Sequence, residues 1–441
     1  MLGRNRALAM LHRAIECSAA DMTQATLDIG ESNLTRFANS MIHQNVSERN
    51  AQIAVKAAIG KRIGYATTNR LDDQSVEAVV SKAVEFARHS QENPDFVSLP
   101  APKPVPTIDT YDERTAAYSP EDRAGAVAGM IAEARRVGAS AAGSLSNGYQ
   151  ESAVVNSLGV EAYNALTMAD LTTVMSGDGG HGYADRISQR IGDFDPIEAA
   201  VEAATRSVRS RSPEPIEPGE YDVVLLPYAV VELVEFLAYL GLGALAVQEG
   251  RSFMCGKFGQ RITGEKITIW DDGLDPRGLP RPSDPEGVPK QRVDLIVNGV
   301  ANAVVYDSYT AYKEGKESTG HAIGGAGAYG PMPVNVFMRP GGSSVEEMIA
   351  STKKGILVTR FHYTNVIHPV LTVITGMTRD GTFLIENGKI TKPLRNLRFT
   401  DSILERLSNV ELISRETKRQ AWAVVPAIKA RAFRFTGVTE F

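Results

Sequence analysis

Residues 230–247, VVELVEFLAYLGLGALAV, are almost wholly apolar, yet they carry two glutamates, Glu232 and Glu235. On a helix the two lie three apart and share one face, which Tyr239 continues a turn later. Carboxylates so placed suit three kinds of chemistry: an acid–base pair, half of a metal site, or a polar seam against solvent or a partner. The remaining reactive residues bear on that choice.

A metal site needs His, Cys, Asp or Glu at spacings that aim them at one point. The seven histidines are His12, His43, His89, His181, His321, His362 and His368, and none is followed by Glu, so HExxH is absent. His362 and His368 end the run HYTNVIH. On a strand they share a face roughly 20 Å apart, too far to hold one ion. For nucleophilic chemistry there is no G-x-S-x-G. Cys255, in GRSFMCGKFGQ, has a neighbouring lysine that favours thiolate but no nearby histidine, so a small residue in a tight loop is the plainer reading. The glycine run at 318–331, STGHAIGGAGAYGP, lacks the strand-to-helix setting of a phosphate loop. It suits a loop edging a cleft.

Two similar units precede the apolar helix. In the first, an amphipathic helix at about 4–19 leads into three strand-like segments, then a helix capped by Asp72 or Asp73. In the second, Ser119 caps a helix with Pro120 at its first position, strand-like segments follow, and Asp195–Pro196 repeats the cap-then-proline signal. Asn39–Ser40 corresponds to Asn156–Ser157, and Gly64–Tyr65–Ala66 to Gly182–Tyr183–Ala184. The expected fold is α+β, with tandem α-β-β-β-α repeats at 1–92 and 119–212 and a proline-rich, extended linker at 93–118. A large, mainly antiparallel β domain follows at 213–441. Asn298–Gly299, Asp380–Gly381 and Asn387–Gly388 are its hairpin signals.

The 441 residues carry a net charge of -5 and no long basic block, which argues against direct nucleic-acid binding. Two cysteines, Cys17 and Cys255, exclude a disulfide framework and point to a reducing, cytoplasmic compartment. The longest apolar run, Phe236 to Val247, is too short and glycine-broken to span a bilayer.

RIGYATT, GRSFMCGKFGQRIT, DPEGVPKQRVDLIVNGV, YKEGKESTGHA, TGMTRDGTFLIENGKI and VPAIKARAFRFTG, in that order along nearly the whole chain, resemble the TldD/PmbA family. That family includes zinc peptidases of the TldD type, with HExxxH on a helix and a cysteine near the C-terminus, and partners of the PmbA (TldE) type. The resemblance sets VELVEF on the HExxxH positions, so Val231 and Phe236 stand where ligands would be and Glu232 keeps the place of the general base. No cysteine follows Cys255. The resemblance therefore implies a PmbA/TldE-like subunit of a peptidase system, with no metal or cofactor of its own and zinc only in a TldD-type partner.

On this reading the partners are a TldD-type peptidase subunit or a second copy of the chain, together with an unfolded or small peptide added to an exposed β edge of the C-terminal domain. Gly320, His321, His362, Tyr363 and Asn365 are the candidate substrate-binding residues, with Glu232 as a vestigial base. The alternatives are a stand-alone hydrolase using Cys255 or the two glutamates, and a non-enzymatic homodimeric regulator of the kind the family's label "modulator of DNA gyrase" suggests.

Overall fold

The computed structural model describes residues 1–324 and 330–438. The first repeat is α1 (Arg4–Glu16), β1 (Met22–Ala38), β2 (Met41–Ile59), β3 (Arg62–Thr68) and α2 (Asp73–His89). After a one-turn α3 (Glu113–Ala116), the second is α4 (Pro120–Arg136), β4 (Ser140–Asn156), β5 (Glu161–Gly177), β6 (Gly180–Ser188) and α5 (Pro196–Arg209). Local chemistry sets the helix starts. Asp72 accepts from the Ser75 amide, Ser119 and Asp122 form a reciprocal capping box ahead of Pro120, and Asp195 accepts from the Ile197 amide.

The two repeats share one antiparallel sheet of order β3-β2-β1-β4-β5-β6, because β1 and β4 pair along almost their whole length. Helices α1 and α2 bury Leu11, Val80 and Val84 against Leu27, Ile53 and Val55, while α4 and α5 bury Met130 and Ala200 against Leu145 and Leu171. The matched glycines explain the repeat. A Cβ at Gly64 would lie 2.1 Å from the Ala83 carbonyl of α2, and one at Gly182 2.0 Å from the Ala203 carbonyl of α5. Both repeats thus need a bare backbone where the second helix crosses the last strand. Alanine at either glycine is expected to cost about 1–3 kcal/mol of stability, because helix and strand must move apart. Urea unfolding checks this, and an unchanged midpoint at both positions contradicts it.

The C-terminal part comprises β7 (Gly219–Leu225), α6 (Pro227–Gly241), α7 (Ala244–Gln248), β8 (Ile269–Asp272), β9 (Arg292–Val297), β10 (Val300–Ala301), α8 (Ser308–Lys313), β11 (Val336–Met338) and α9 (Val345–Ala350). Then come β12 (Lys354–His368), β13 (Val373–Glu386), β14 (Lys389–Pro393), β15 (Leu397–Ser402), α10 (Ile403–Ser408), β16 (Val410–Gln420) and β17 (Ala423–Val438). Pairing runs β7-β12-β13-β15-β17 and returns from β17 to β7, closing a barrel. The β7–β12 and β11–β17 pairs are parallel and the others antiparallel. Phe361, Phe399, Phe433 and Phe435 stack in the buried core at centroid separations from 4.5 to 5.7 Å. Closure removes the edges of the ring strands only where β7 reaches β12, from Gly355 to Val358. Among the described residues, β12 beyond that point pairs with β13 alone and so keeps an open edge in this domain.

Asn298–Gly299 and Asn387–Gly388 do turn hairpins, β9–β10 and β13–β14. Asp380–Gly381 does not. It lies inside β13, with φ of 55° and 122°, opposite a register shift between Val358 and Arg360. The same demand for positive φ is met there by a bulge rather than a turn. The 93–118 linker is extended but packed: Val105 meets Val154, Val160 and Ala162, and Thr110 bonds the backbone of β5. No helix is long and apolar enough to cross a membrane among the described residues.

Candidate functional site

Helix α6 starts at Pro227, the first-turn position proline favours, and sinks Val230, Leu233, Val234 and Leu237 into the barrel core. Burial of that face leaves Glu232 and Glu235 on the side toward β12 and the second repeat. Glu232 Oε2 accepts the Thr364 hydroxyl of β12 at 2.5 Å. Burial raises its carboxyl above the usual range, against the pull of Thr364 and the Arg360 charge. Burial, and then the neighbouring Glu232 charge, push Glu235 up to about 7, while a backbone bond from Trp422 opposes them. Glu235 Oε1 has no hydrogen-bond partner among the described residues. The pair therefore holds a proton near neutrality, a property useful for acid–base work and costly for stability.

Arg360 anchors the surroundings. Its Nε lies 2.6 Å from Asp380 Oδ2, and Asp380 is almost wholly buried. The guanidinium also covers the Tyr183 ring at 4.2 Å, and the Tyr183 hydroxyl donates to Asp185 at 2.7 Å. Beside them, Glu202 of α5 binds Arg186 at 2.7 Å, Arg206 at 2.6 Å and the Tyr228 hydroxyl of α6 at 2.8 Å. Lys418 of β16 lies 3.3 Å from the same carboxylate. Burial alone would raise Glu202, but Arg206, Lys418 and Arg186 hold it down to about 2. Burial pushes Lys418 down to about 8. This seam fixes α6 against the second repeat.

The stripe from Glu232 through Glu235 reaches Tyr239, which is exposed and lines a cleft of about 770 Å³. The lining is mainly apolar, including Leu240, Ile323, Met332, Val366 and Pro369, with Glu249 and Arg251 also present. Such a composition suits side chains of an extended ligand, steered by a few polar groups.

The sequence candidates fall on both sides of this picture. Tyr363 and Asn365 are exposed on β12, with Asn365 Nδ2 donating to the Tyr363 carbonyl at 2.9 Å. His362 is half-buried, its imidazole held below its ordinary value by burial and by Arg360 and Arg379. These residues precede Val366, which does line the cleft. His321 does not: its side chain is fully buried, with Nε2 2.7 Å from Asp271 Oδ1. Gly320 is packed so closely that a Cβ would lie 2.4 Å from the Pro289 carbonyl. Residues 325–329 of the glycine run lie outside the described residues. Cys255 is half-buried and its thiol donates to the Val247 carbonyl at 3.5 Å. Thr364 lies within the HYTN run at 362–365 that the sequence offers as cleft lining, but its bond to Glu232 has no sequence signal, because a threonine in a strand is ordinary.

The zinc that the resemblance implies for TldD-type chains does not fit these residues. Val231 is buried in the core and Phe236 packs against it, and neither has a lone pair to donate. Among the described residues, no three His, Cys, Asp or Glu side chains converge.

Residues 218–437 match the family model of the PmbA/TldA metallopeptidase C-terminal domain, and residues 29–87 that of PmbA/TldA metallopeptidase domain 1. A metalloprotease of Methanocaldococcus jannaschii is 24% identical over 430 residues, 90% of either chain. Metalloprotease PmbA of Escherichia coli O157:H7 is 25% identical over 82% of this chain and 80% of its own. The crystal structure of TldE from Thermococcus kodakarensis superposes with a TM-score of 0.88 at 20% identity, over 98% of this chain and 99% of that one. At that identity the likeness is one of fold.

Proposed function

We propose, for a chain that belongs to the PmbA/TldD metallopeptidase family, that it is a PmbA/TldE-type subunit of a cytoplasmic peptidase system. It takes up unfolded or small peptides and works beside a zinc-bearing TldD-type peptidase. The observation that carries this reading is the pair Val231 and Phe236, which flank Glu232 on α6 without a metal-binding atom between them. Glu232 then has no metal-bound water to deprotonate, and its bond to Thr364 ties α6 to β12. The adjoining apolar cleft supports peptide uptake, with Tyr239 and Val366 as walls and Tyr363 and Asn365 on the strand leading in. Neither half-buried Cys255 nor the direct Glu232–Thr364 contact favours a stand-alone hydrolase.

The test is peptidase activity on short unstructured peptides, with the purified chain alone and mixed with a TldD-type peptidase. The chain alone is expected to be inactive, and the mixture active and chelator-sensitive. Robust chelator-sensitive turnover by the chain alone, with stoichiometric zinc, would overturn the assignment.

A further inference from the structure

The N-terminal sheet has an edge that its own fold leaves open. β1 pairs with β2 along its whole length, but β3 pairs only with Ile53 to Ile59. Among the described residues nothing pairs with the outer edge of β2 over residues 41–52. Nearly all of these residues are exposed, Met41 at 64% and Ile42 at 41%. A strand edge of that length presents a row of unmatched amides and carbonyls, a template for another chain.

The second repeat covers the same edge. The Gly64–Gly182 register sets Ser47 and Arg49 of β2 on Ala165 and Thr167 of β5. There the Thr167 amide donates to the Thr110 carbonyl at 3.0 Å, and the Thr110 hydroxyl to the Ala165 carbonyl at 2.7 Å. The occupant is the extended connector between the repeats. Among the described residues no such segment lies along β2, so the outward groups of Ser47 and Arg49 are unmatched there.

Where β3 stops, the open edge meets a cleft of about 510 Å³ lined by Arg6, Ile29, Arg49, Asn50, Ala51 and Leu71. Neither Arg6 nor Arg49 makes a side-chain hydrogen bond or ion pair among the described residues. Glu31 lies opposite Arg49 on β1, yet it is bonded by Asn33 at 3.3 Å and forms no ion pair with that arginine. Two unpaired guanidinium groups beside free backbone donors are suited to a carboxylate.

We propose that residues 41–52 of β2 bind an extended peptide by strand addition, with a carboxylate of that peptide seated between Arg6 and Arg49. The site is on the N-terminal sheet and does not rest on the assignment of the α6 cleft. A second copy of this chain fits less well. Antiparallel self-pairing centred on the cleft would set Arg49 against Arg49, and like charges directly opposite repel.

The probe is a fluorescent ten-residue peptide of alternating Thr and Val ending in Glu-Glu, titrated into the full chain and read by anisotropy. Its C-terminal acid and amide forms separate a terminal carboxylate from acidic side chains, and a Lys-Lys version reverses the charge. The acidic peptide is expected to saturate, to slow hydrogen exchange over residues 41–52, and to bind more tightly than the lysine version. Arg49→Glu and Arg6→Glu each should weaken it roughly tenfold or more. Ser47→Pro should weaken it as well, since it removes an outward amide and leaves the pairing with β1 intact. Equal binding of the lysine peptide overturns the proposal. So does undiminished binding by Arg49→Glu, an exposed change that tests the site even if the proline variant misfolds. A dimer that Ser47→Pro dissolves, with no peptide binding, assigns the edge to a second copy and also overturns it.

Discussion

Arg360→Ala is expected to lower stability by about 3–5 kcal/mol, because it strips the partner from a carboxylate that has no route to water. Asp380 is almost completely buried, and Arg360 holds it through both Nε and Nη2. The Asp380 backbone, at a φ of 55° in the β13 bulge, keeps the carboxylate from swinging out. The loss extends beyond one ion pair. Arg360 also covers Tyr183 of the second repeat, so its removal opens the contact between β6 and β12. It further deletes a positive charge that holds the Glu232 carboxyl down, leaving that group still more reluctant to ionise.

Urea unfolding of Arg360→Ala, Asp380→Asn and the double variant separates these effects. The double variant should recover part of the single loss, since a neutral amide is cheaper to bury than an orphaned charge. An Arg360→Ala cost under about 1 kcal/mol, the range of a solvent-exposed pair, would show that water reaches Asp380 and that the seam is looser than its burial implies.

What the sequence disclosed follows physical range. Caps at Asp72, Ser119 and Asp195 act over two or three residues, and each was legible. The repeat was legible too, because the glycines at 64 and 182 answer one steric demand twice. Barrel closure was not. It depends on β17 meeting both β15 and β7, which are distant in the chain. β15 alternates but is only six residues long, and the charged β16 carries too little alternation to read as a strand. Asp380–Gly381 looked like a turn because turns and bulges ask for the same φ. His321 looked available because it sits in a glycine-rich run, yet burial against Asp271 makes it structural. At the candidate site, the glutamate stripe could be placed from helical spacing alone, but Thr364, Arg360 and Trp422 come from elements far along the chain.

Glu235→Gln should make the protein more stable at pH 8 and leave it little changed near pH 5. In the folded state burial, Glu232 and Asp185 all raise the Glu235 carboxyl, and only the Trp422 backbone bond opposes them. A carboxyl raised from 4.5 to about 7 favours folding while protonated. That contribution is full below pH 4.5 and is lost as pH rises through about 7. The difference corresponds to about 3 kcal/mol, at about 1.4 kcal/mol per pH unit. Part of it belongs to Glu232, which ionises more readily once its neighbour is neutral. Total stability against pH cannot isolate the effect, because Asp170, raised to about 6, and Asp284, raised to about 7, titrate in the same window. The difference between wild type and variant can, since those groups cancel. Unfolding free energies should diverge from pH 5 to about 7 and then keep a constant gap up to pH 8, with the variant above. Parallel curves would mean that Glu235 is ionised and hydrated throughout, and that the glutamate stripe is an ordinary wet surface leading to the cleft.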